Sequence, residues 1–198
     1  CCPMSGDSHP VAVHEGAASE TAAVVLIGFM GAGKSAVGRW LAGALQLPFI
    51  DTDQVIEQEH GPIARIFLEQ GEQAFRRLES STVCVTLAAT EQSSAVIALG
   101  GGAVLSGDVR ASLQRLPFVI WLTASPETHW RRVCDDGANE RPLAADEEGF
   151  VRLLDERAAL YNSVATHCVH NDDDRSASEV AGEIVALTLG PARGKHTS

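Results

Sequence analysis

The stretch Gly28-Phe29-Met30-Gly31-Ala32-Gly33-Lys34-Ser35 constrains this chain more than any other. It follows an apolar, β-branched run, Ala22 to Ile27, and leads into a helical pattern, Lys34 to Leu45. Strand, G-x-x-x-x-G-K-S turn and helix in that order make a phosphate-binding P-loop. Gly28, Gly31 and Gly33 open backbone angles that a Cβ closes, so successive N–H groups can converge on phosphate oxygens. The helix that follows adds the positive end of its dipole. Gly31, Ala32, Gly33, Lys34, Ser35 and Ala36 are therefore expected to hold a nucleotide. Lys34 is expected to reach the β- and γ-phosphates, and the Ser35 hydroxyl to ligate Mg²⁺ directly.

The rest of the composition narrows the partners. A chain of 198 residues suits one domain with a substantial core. With 26 acidic and 15 basic residues the net charge is −11, which disfavours nucleic acid or an anionic membrane as partner. The longest apolar runs are too short to span a bilayer. An anionic substrate then needs a local cluster of Lys and Arg. Cys1, Cys2, Cys84, Cys134 and Cys168 are odd in number and include no C-x-x-C pair. They read as reduced thiols of a cytoplasmic protein. His167 and His170 flank Cys168 without a further ligand group, so no zinc site is expected.

Residues 1–21 are small, polar and aperiodic, and read as a flexible extension without a secretory signal. Pro48-Phe49-Ile50 is a second strand that delivers Asp51-Thr52-Asp53 at its C-terminal end. Asp53 begins the next helix and is a candidate cap for it. Pro62 opens another helix, which Gly71 ends. Glu72 to about Thr90 is a long helix, with Phe75, Leu78, Thr82 and Val85 expected inward and Arg76 and Glu79 as an i,i+3 pair near that face. Ala95 to Leu99 is a third strand that runs into Gly100-Gly101-Gly102. Phe118 to Leu122 is a fourth, and Ser125 is placed to cap the helix after it. A polar stretch of about 135–149 reads as a mobile lid. A helix from Phe150 to Tyr161, a fifth strand over Cys168-Val169-His170, a solvated Asp172-Asp173-Asp174 turn and a helix striped by Val180, Ile184 and Leu187 complete the domain at about residue 190. Residues 191–198 are tail.

Strands that alternate with helices imply an α/β fold with a parallel sheet covered on both faces. Ligands of such sheets sit beyond the C-terminal strand ends. Those ends carry the P-loop, Asp51 and Asp53, and the triple glycine. Three separate segments converge on one crevice.

Taken together the segments resemble shikimate kinase. The resemblance rests on GFMGAGKS at 28–35, DTD at 51–53, Ile66-Phe67, and Gly71-Glu72-Gln73-Ala74-Phe75-Arg76-Arg77-Leu78-Glu79. Gly100-Gly101-Gly102-Ala103-Val104, Arg141-Pro142-Leu143, Glu156-Arg157 and Leu160-Tyr161 extend it. It implies a P-loop three-layer sandwich of the nucleoside-monophosphate-kinase type, with a five-stranded parallel sheet and a lid. It also implies an enzyme that phosphorylates the 3-hydroxyl of shikimate from ATP in aromatic amino-acid biosynthesis. By position, Asp53 grips the substrate hydroxyls as a catalytic group, Arg76 and Arg157 hold the carboxylate, and the Gly101 N–H adds a contact. Asp51 acts on Mg²⁺ through water, Lys34 serves catalysis, and Arg141 closes with the lid onto the phosphates. Shikimate and ATP are the expected partners of a monomer, with no nucleic acid and no membrane.

Two arginines able to bind a planar carboxylate bidentately agree with this reading and explain how an acidic protein takes a small anion. Other roles stay open for individual residues. Arg76 can pair with Glu79 alone, Arg157 can be a solvated helix residue, and Gly101 can serve only a tight turn. Another small-molecule kinase of the same fold, such as a gluconokinase, and a nucleotide-binding regulatory protein without catalysis are the alternatives for the whole chain. Ala159 stands where the family commonly has proline, and Ala144 where the lid motif more often has leucine.

Overall fold

The computed structural model describes residues 22–90, 92–135 and 146–189. The expected extension at 1–21, the tail at 191–198 and most of the expected lid, with Arg141-Pro142-Leu143, lie outside the described residues.

Five strands form one parallel sheet: β1 (Val24–Ile27), β2 (Phe49–Asp51), β3 (Val96–Ala98), β4 (Phe118–Thr123) and β5 (His167–His170), in the order β2-β3-β1-β4-β5. The register pairs Leu26 with Ala98 on one side and with Ile120 on the other. All four residues of β1 are buried, as a central strand covered on both faces requires. Alternate side chains leave the sheet on opposite faces. Val24, Leu26, Val96, Ile120 and Leu122 pack with α1 (Lys34–Leu45) and α8 (Ala177–Leu189). Val25, Ile27, Ile97 and Val119 pack on the other face with α4 (Glu72–Ala89), α5 (Gly107–Leu113), α6 (Pro126–Asp135) and α7 (Glu147–Val164). Helices α2 (Thr52–His60) and α3 (Ile63–Gln70) join α4 in a smaller cluster of Ile56, Ile66 and Phe75 beside the sheet.

Two expectations change. The inward face of α4 is Phe75, Glu79, Val83 and Leu87, a strict i,i+4 row, while Val85 is 69% exposed. Rotating the helix this far turns a carboxylate inward in place of a valine, and the glycine turn after β3 is what receives it. The N-cap of α2 is Asp51, whose side chain accepts the Asp53 N–H; Asp53 stands in the first turn. Between β3 and β4 the chain also forms a 3-10 turn, Ala103–Leu105, and the short helix α5 capped by Ser106. Neither is long enough to show a periodic stripe.

Candidate active site

The P-loop leaves β1 through three glycines at positive φ, with Gly31 at 76° and Gly33 at 80°. Only glycine takes these angles without strain. Lys34 lies back along the loop, its Nζ donating to the carbonyls of Gly28 at 2.9 Å and Phe29 at 3.0 Å. Ser35 opens α1 and donates through Oγ to Asp51 Oδ2 at 2.6 Å. The second Asp51 oxygen accepts from the Asp53 N–H at 3.2 Å. One carboxylate therefore caps α2 and touches the P-loop helix at once, which ties the start of α2 to the start of α1. Between the two, buried Thr52 accepts the Gly100 N–H at 3.1 Å and donates to the Ala98 carbonyl at 3.3 Å, fastening β2 to the end of β3.

The triple glycine is where the other expected site residues meet. Each of its residues meets one expected ligand group. A Cβ on Gly100 would stand 2.5 Å from Asp53 Oδ1 and 2.6 Å from Glu79 Oε1. The Gly101 carbonyl accepts from Arg157 Nη1 at 3.3 Å and from the Tyr161 hydroxyl at 2.6 Å. A Cβ on Gly102 would fall on Arg76 Nη1. Gly100, Gly101 and Gly102 have no positive φ, so it is the missing Cβ that the site uses here, not backbone freedom.

Arg76 and Arg157 are each anchored before any ligand arrives. Arg76 donates to Glu79 Oε2 at 2.7 Å, and its guanidinium stands 5.2 Å from the Phe75 ring and 6.0 Å from Phe67. Glu79 is only 2% exposed, whereas Arg76 is half-buried and also meets the exposed Glu72 at 3.3 Å, so the pair is buried at its carboxylate end and open at its guanidinium end. Burial pushes the Glu79 carboxyl above its usual range, with Arg76 pulling against it. Arg157 is 5% exposed and lies 5.2 Å over the Phe29 ring of the P-loop. Tyr161 follows it by one helical turn, and burial drives the phenol well above its ordinary pKa, so its hydroxyl remains a proton donor to Gly101. Two cationic side chains thus meet one glycine turn, Arg157 at the Gly101 carbonyl and Arg76 at Gly102.

Three residues with no signal in the sequence complete the P-loop. The carbonyls of Met30, Gly31 and Ala32 are met by His129, Arg132 and Asn171. Asp172 accepts the Ser125 N–H at 2.8 Å, and Asp173 pairs with Arg131 and with Arg132 at 3.1 Å, so the acidic turn is a tie to α6. Ser125 accepts the Thr128 N–H as the expected cap of α6. Among the described residues no group of three His, Cys, Asp or Glu is placed to hold a metal, and no helix is long and apolar enough to cross a membrane.

Comparison with known proteins fits this arrangement. The family profile for shikimate kinase matches residues 30–188. A shikimate kinase of Symbiobacterium thermophilum is 43% identical over 165 residues, covering 82% of this chain and 93% of its own. One from Vibrio cholerae is 38% identical over 168 residues, covering 83% of this chain and 93% of its own. Among solved structures, shikimate kinase from Acinetobacter baumannii in complex with shikimate superposes with a TM-score of 0.79 at 33% identity, covering 86% of this chain and 94% of that one. A gluconokinase from Sinorhizobium meliloti, at 16% identity and a TM-score of 0.51 over 84% of this chain and 90% of its own, shares the fold alone.

Proposed function

The chain belongs to the shikimate kinase family, and we propose that it transfers the γ-phosphoryl group of ATP to the 3-hydroxyl of shikimate, giving shikimate 3-phosphate and ADP. The observation that carries the reading is the convergence of Asp53, Arg157 and Arg76 on three consecutive glycines beside the P-loop. A planar carboxylate fits between two forked guanidinium groups, and ring hydroxyls then face Asp53. Gluconate is also a hydroxylated carboxylate, but its chain is flexible, and a preset pair of arginines favours a rigid ring whose hydroxyls stay at a fixed distance from the carboxylate.

In this reading Arg76 and Arg157 bind the carboxylate, the Gly101 N–H adds a contact, and Asp53 orients the 3-hydroxyl and takes its proton. The substrate oxygen bonds to the γ-phosphorus, the bond from that phosphorus to the bridging oxygen breaks, and ADP leaves with the electron pair. Such a transfer depends on positioning and charge neutralisation more than on covalent help. The P-loop amides of Gly31, Ala32, Gly33, Lys34, Ser35 and Ala36 cradle the phosphates. Lys34 exchanges its loop carbonyls for phosphate oxygens.

The Ser35 hydroxyl and Asp51 carboxylate are hard oxygen donors 2.6 Å apart at the mouth of the loop, a set that suits Mg²⁺. Ser35 would hold the ion directly and Asp51 through water; bound there, it would neutralise charge on the β- and γ-phosphates. Arg141 brings a further positive charge to the phosphates on the lid. Residues 22–190 form the catalytic domain, with 1–21 an extension and 191–198 a tail. Free thiols at Cys84, Cys134 and Cys168 support a cytoplasmic location in which the domain acts as a monomer on shikimate and ATP, apart from nucleic acid and membranes.

The test is ADP release by the purified protein with ATP and Mg²⁺, measured in parallel on shikimate, gluconate and nucleoside monophosphates. Turnover on shikimate alone supports the reading. Turnover on gluconate or a nucleoside monophosphate without shikimate overturns it.

A further inference from the structure

A loop that turns its N–H groups toward phosphate turns its carbonyls the other way, into the protein. Each such carbonyl must find a donor there or go unsatisfied. In this P-loop the accounting closes through long-range side chains. Lys34 serves Gly28 and Phe29, and the first helical bond of α1 serves Gly33. The three carbonyls between them are reached from α6 and from the residue that follows β5: Met30 by His129 Nδ1 at 2.9 Å, Gly31 by Arg132 Nη1 at 3.3 Å and Ala32 by Asn171 Nδ2 at 2.8 Å.

His129 is the most confined of the three. It is fully buried in α6, and its other ring nitrogen, Nε2, accepts the Ala124 N–H at 3.2 Å. The Met30 carbonyl can only accept and the Ala124 amide can only donate. The pair therefore fixes the neutral imidazole with its proton on Nδ1. Contact extends to the backbone, since a Cβ on Gly31 would stand 2.5 Å from the His129 carbonyl oxygen. The Phe29 ring meets the imidazole edge-on at 6.3 Å between centroids. Burial, with Lys34 and Arg132 nearby, lowers the imidazole pKa to about 4, so the neutral tautomer persists at working pH.

We propose that His129 is a positioning residue for the nucleotide: by donating from Nδ1 to the Met30 carbonyl it keeps the P-loop amides aimed at the phosphate site before the nucleotide arrives. The proposal rests on the phosphotransfer reading above. A backbone carbonyl that loses its buried donor is free to rotate the peptide and carry the next amide off target, and that loss falls on nucleotide affinity. Shikimate affinity in the absence of nucleotide depends on Arg76, Arg157 and Asp53 and stays as it is.

Two variants separate this role from simple core packing. His129→Asn and His129→Leu both remove the ring and both lower the melting temperature. Asparagine can place its Nδ2 where Nδ1 was and still donate to Met30; leucine cannot. Calorimetric titration with ADP and Mg²⁺ should give an affinity about tenfold weaker in His129→Leu and within about threefold of wild type in His129→Asn. Shikimate titrated without nucleotide should bind all three proteins alike. Wild-type affinity for ADP in His129→Leu, or equal losses in the two variants, overturns the proposal. Should His129→Leu fail to fold, nitrogen-15 NMR of the wild-type imidazole decides. A neutral ring protonated at Nδ1, in the free and the ADP-bound protein, supports the proposal, and an Nε2–H or doubly protonated ring in the free protein overturns it. A wild type that binds ADP but does not phosphorylate shikimate would refute the functional reading and leave these comparisons intact.

Discussion

Gly102 lies directly against Arg76: a methyl group added at its Cα would occupy the place of the guanidinium Nη1. The backbone of Gly102 is ordinary, with φ −97° and ψ −9°, so alanine costs nothing in conformation. What has to yield is the far end of a flexible side chain. Gly102→Ala should therefore fold, but with a stability about 1–3 kcal/mol below wild type, because a displaced Arg76 leaves the buried Glu79 carboxyl without its 2.7 Å partner. It should raise the KM for shikimate about tenfold, because Arg76 leaves its place between Glu79 and Phe75. Steady-state kinetics with a thermal melt checks both halves. An unchanged KM would remove Arg76 from the carboxylate site.

Asp53 presents Oδ1 to the same turn, at Gly100. Asp53→Asn keeps the shape and cannot take a proton. Loss of a positioned base typically costs about 10²–10⁴-fold in rate. The kcat of Asp53→Asn should fall in that range while ADP affinity holds. Retention of most of the kcat would reduce Asp53 to a residue that only orients the hydroxyl.

Much of this was legible in the sequence, because it is local. The G-x-x-x-x-G-K-S spacing locates β1, the turn and α1, whose bounds at Lys34 and Leu45 agree with the structure. Apolar runs mark the remaining strands, and Gly71 and Pro62 punctuate α3. The face of α4 was not legible. Hydropathy favours Val85 over Glu79, and only the partner across the gap, the Gly100 turn with Arg76, makes a buried carboxylate acceptable. The P-loop clamp was invisible for a similar reason. His129, Arg132 and Asn171 stand 99, 101 and 139 residues from the carbonyls they serve, and no periodicity links positions so distant.

The buried imidazole also makes stability depend on acid. His129 ionises at about 4 in the fold against 6.5 when free, so between about pH 6.5 and pH 4 the unfolded chain binds the proton and the folded chain does not. Stability from this residue is complete above about pH 6.5 and is lost progressively as pH falls toward 4. The span corresponds to about 3 kcal/mol. Urea unfolding of wild type and His129→Asn from pH 4 to pH 8 isolates the effect from other groups. The gap between the two proteins should narrow as the medium becomes more acidic. A gap that is constant with pH would mean that His129 titrates normally.

Arg141, in the Arg141-Pro142-Leu143 motif, lies outside the described residues. An arginine that arrives on a closing segment acts mostly in the transition state, and its removal lowers kcat more than ground-state binding. Arg141→Ala should lose on the order of 10²-fold or more in kcat, as charge-stabilising donors elsewhere do. Shikimate affinity without nucleotide should change little. A defect confined to shikimate affinity would place Arg141 in the substrate pocket instead.

The central claim concerns which atom receives the phosphoryl group. Phosphorus-31 NMR of a reaction holding the purified protein, ATP, Mg²⁺ and shikimate reads it directly. The account predicts the growth of one phosphomonoester signal, coupled to the proton on carbon 3 of the ring, in step with ADP. No phosphomonoester, or one coupled to a different ring proton, would contradict it.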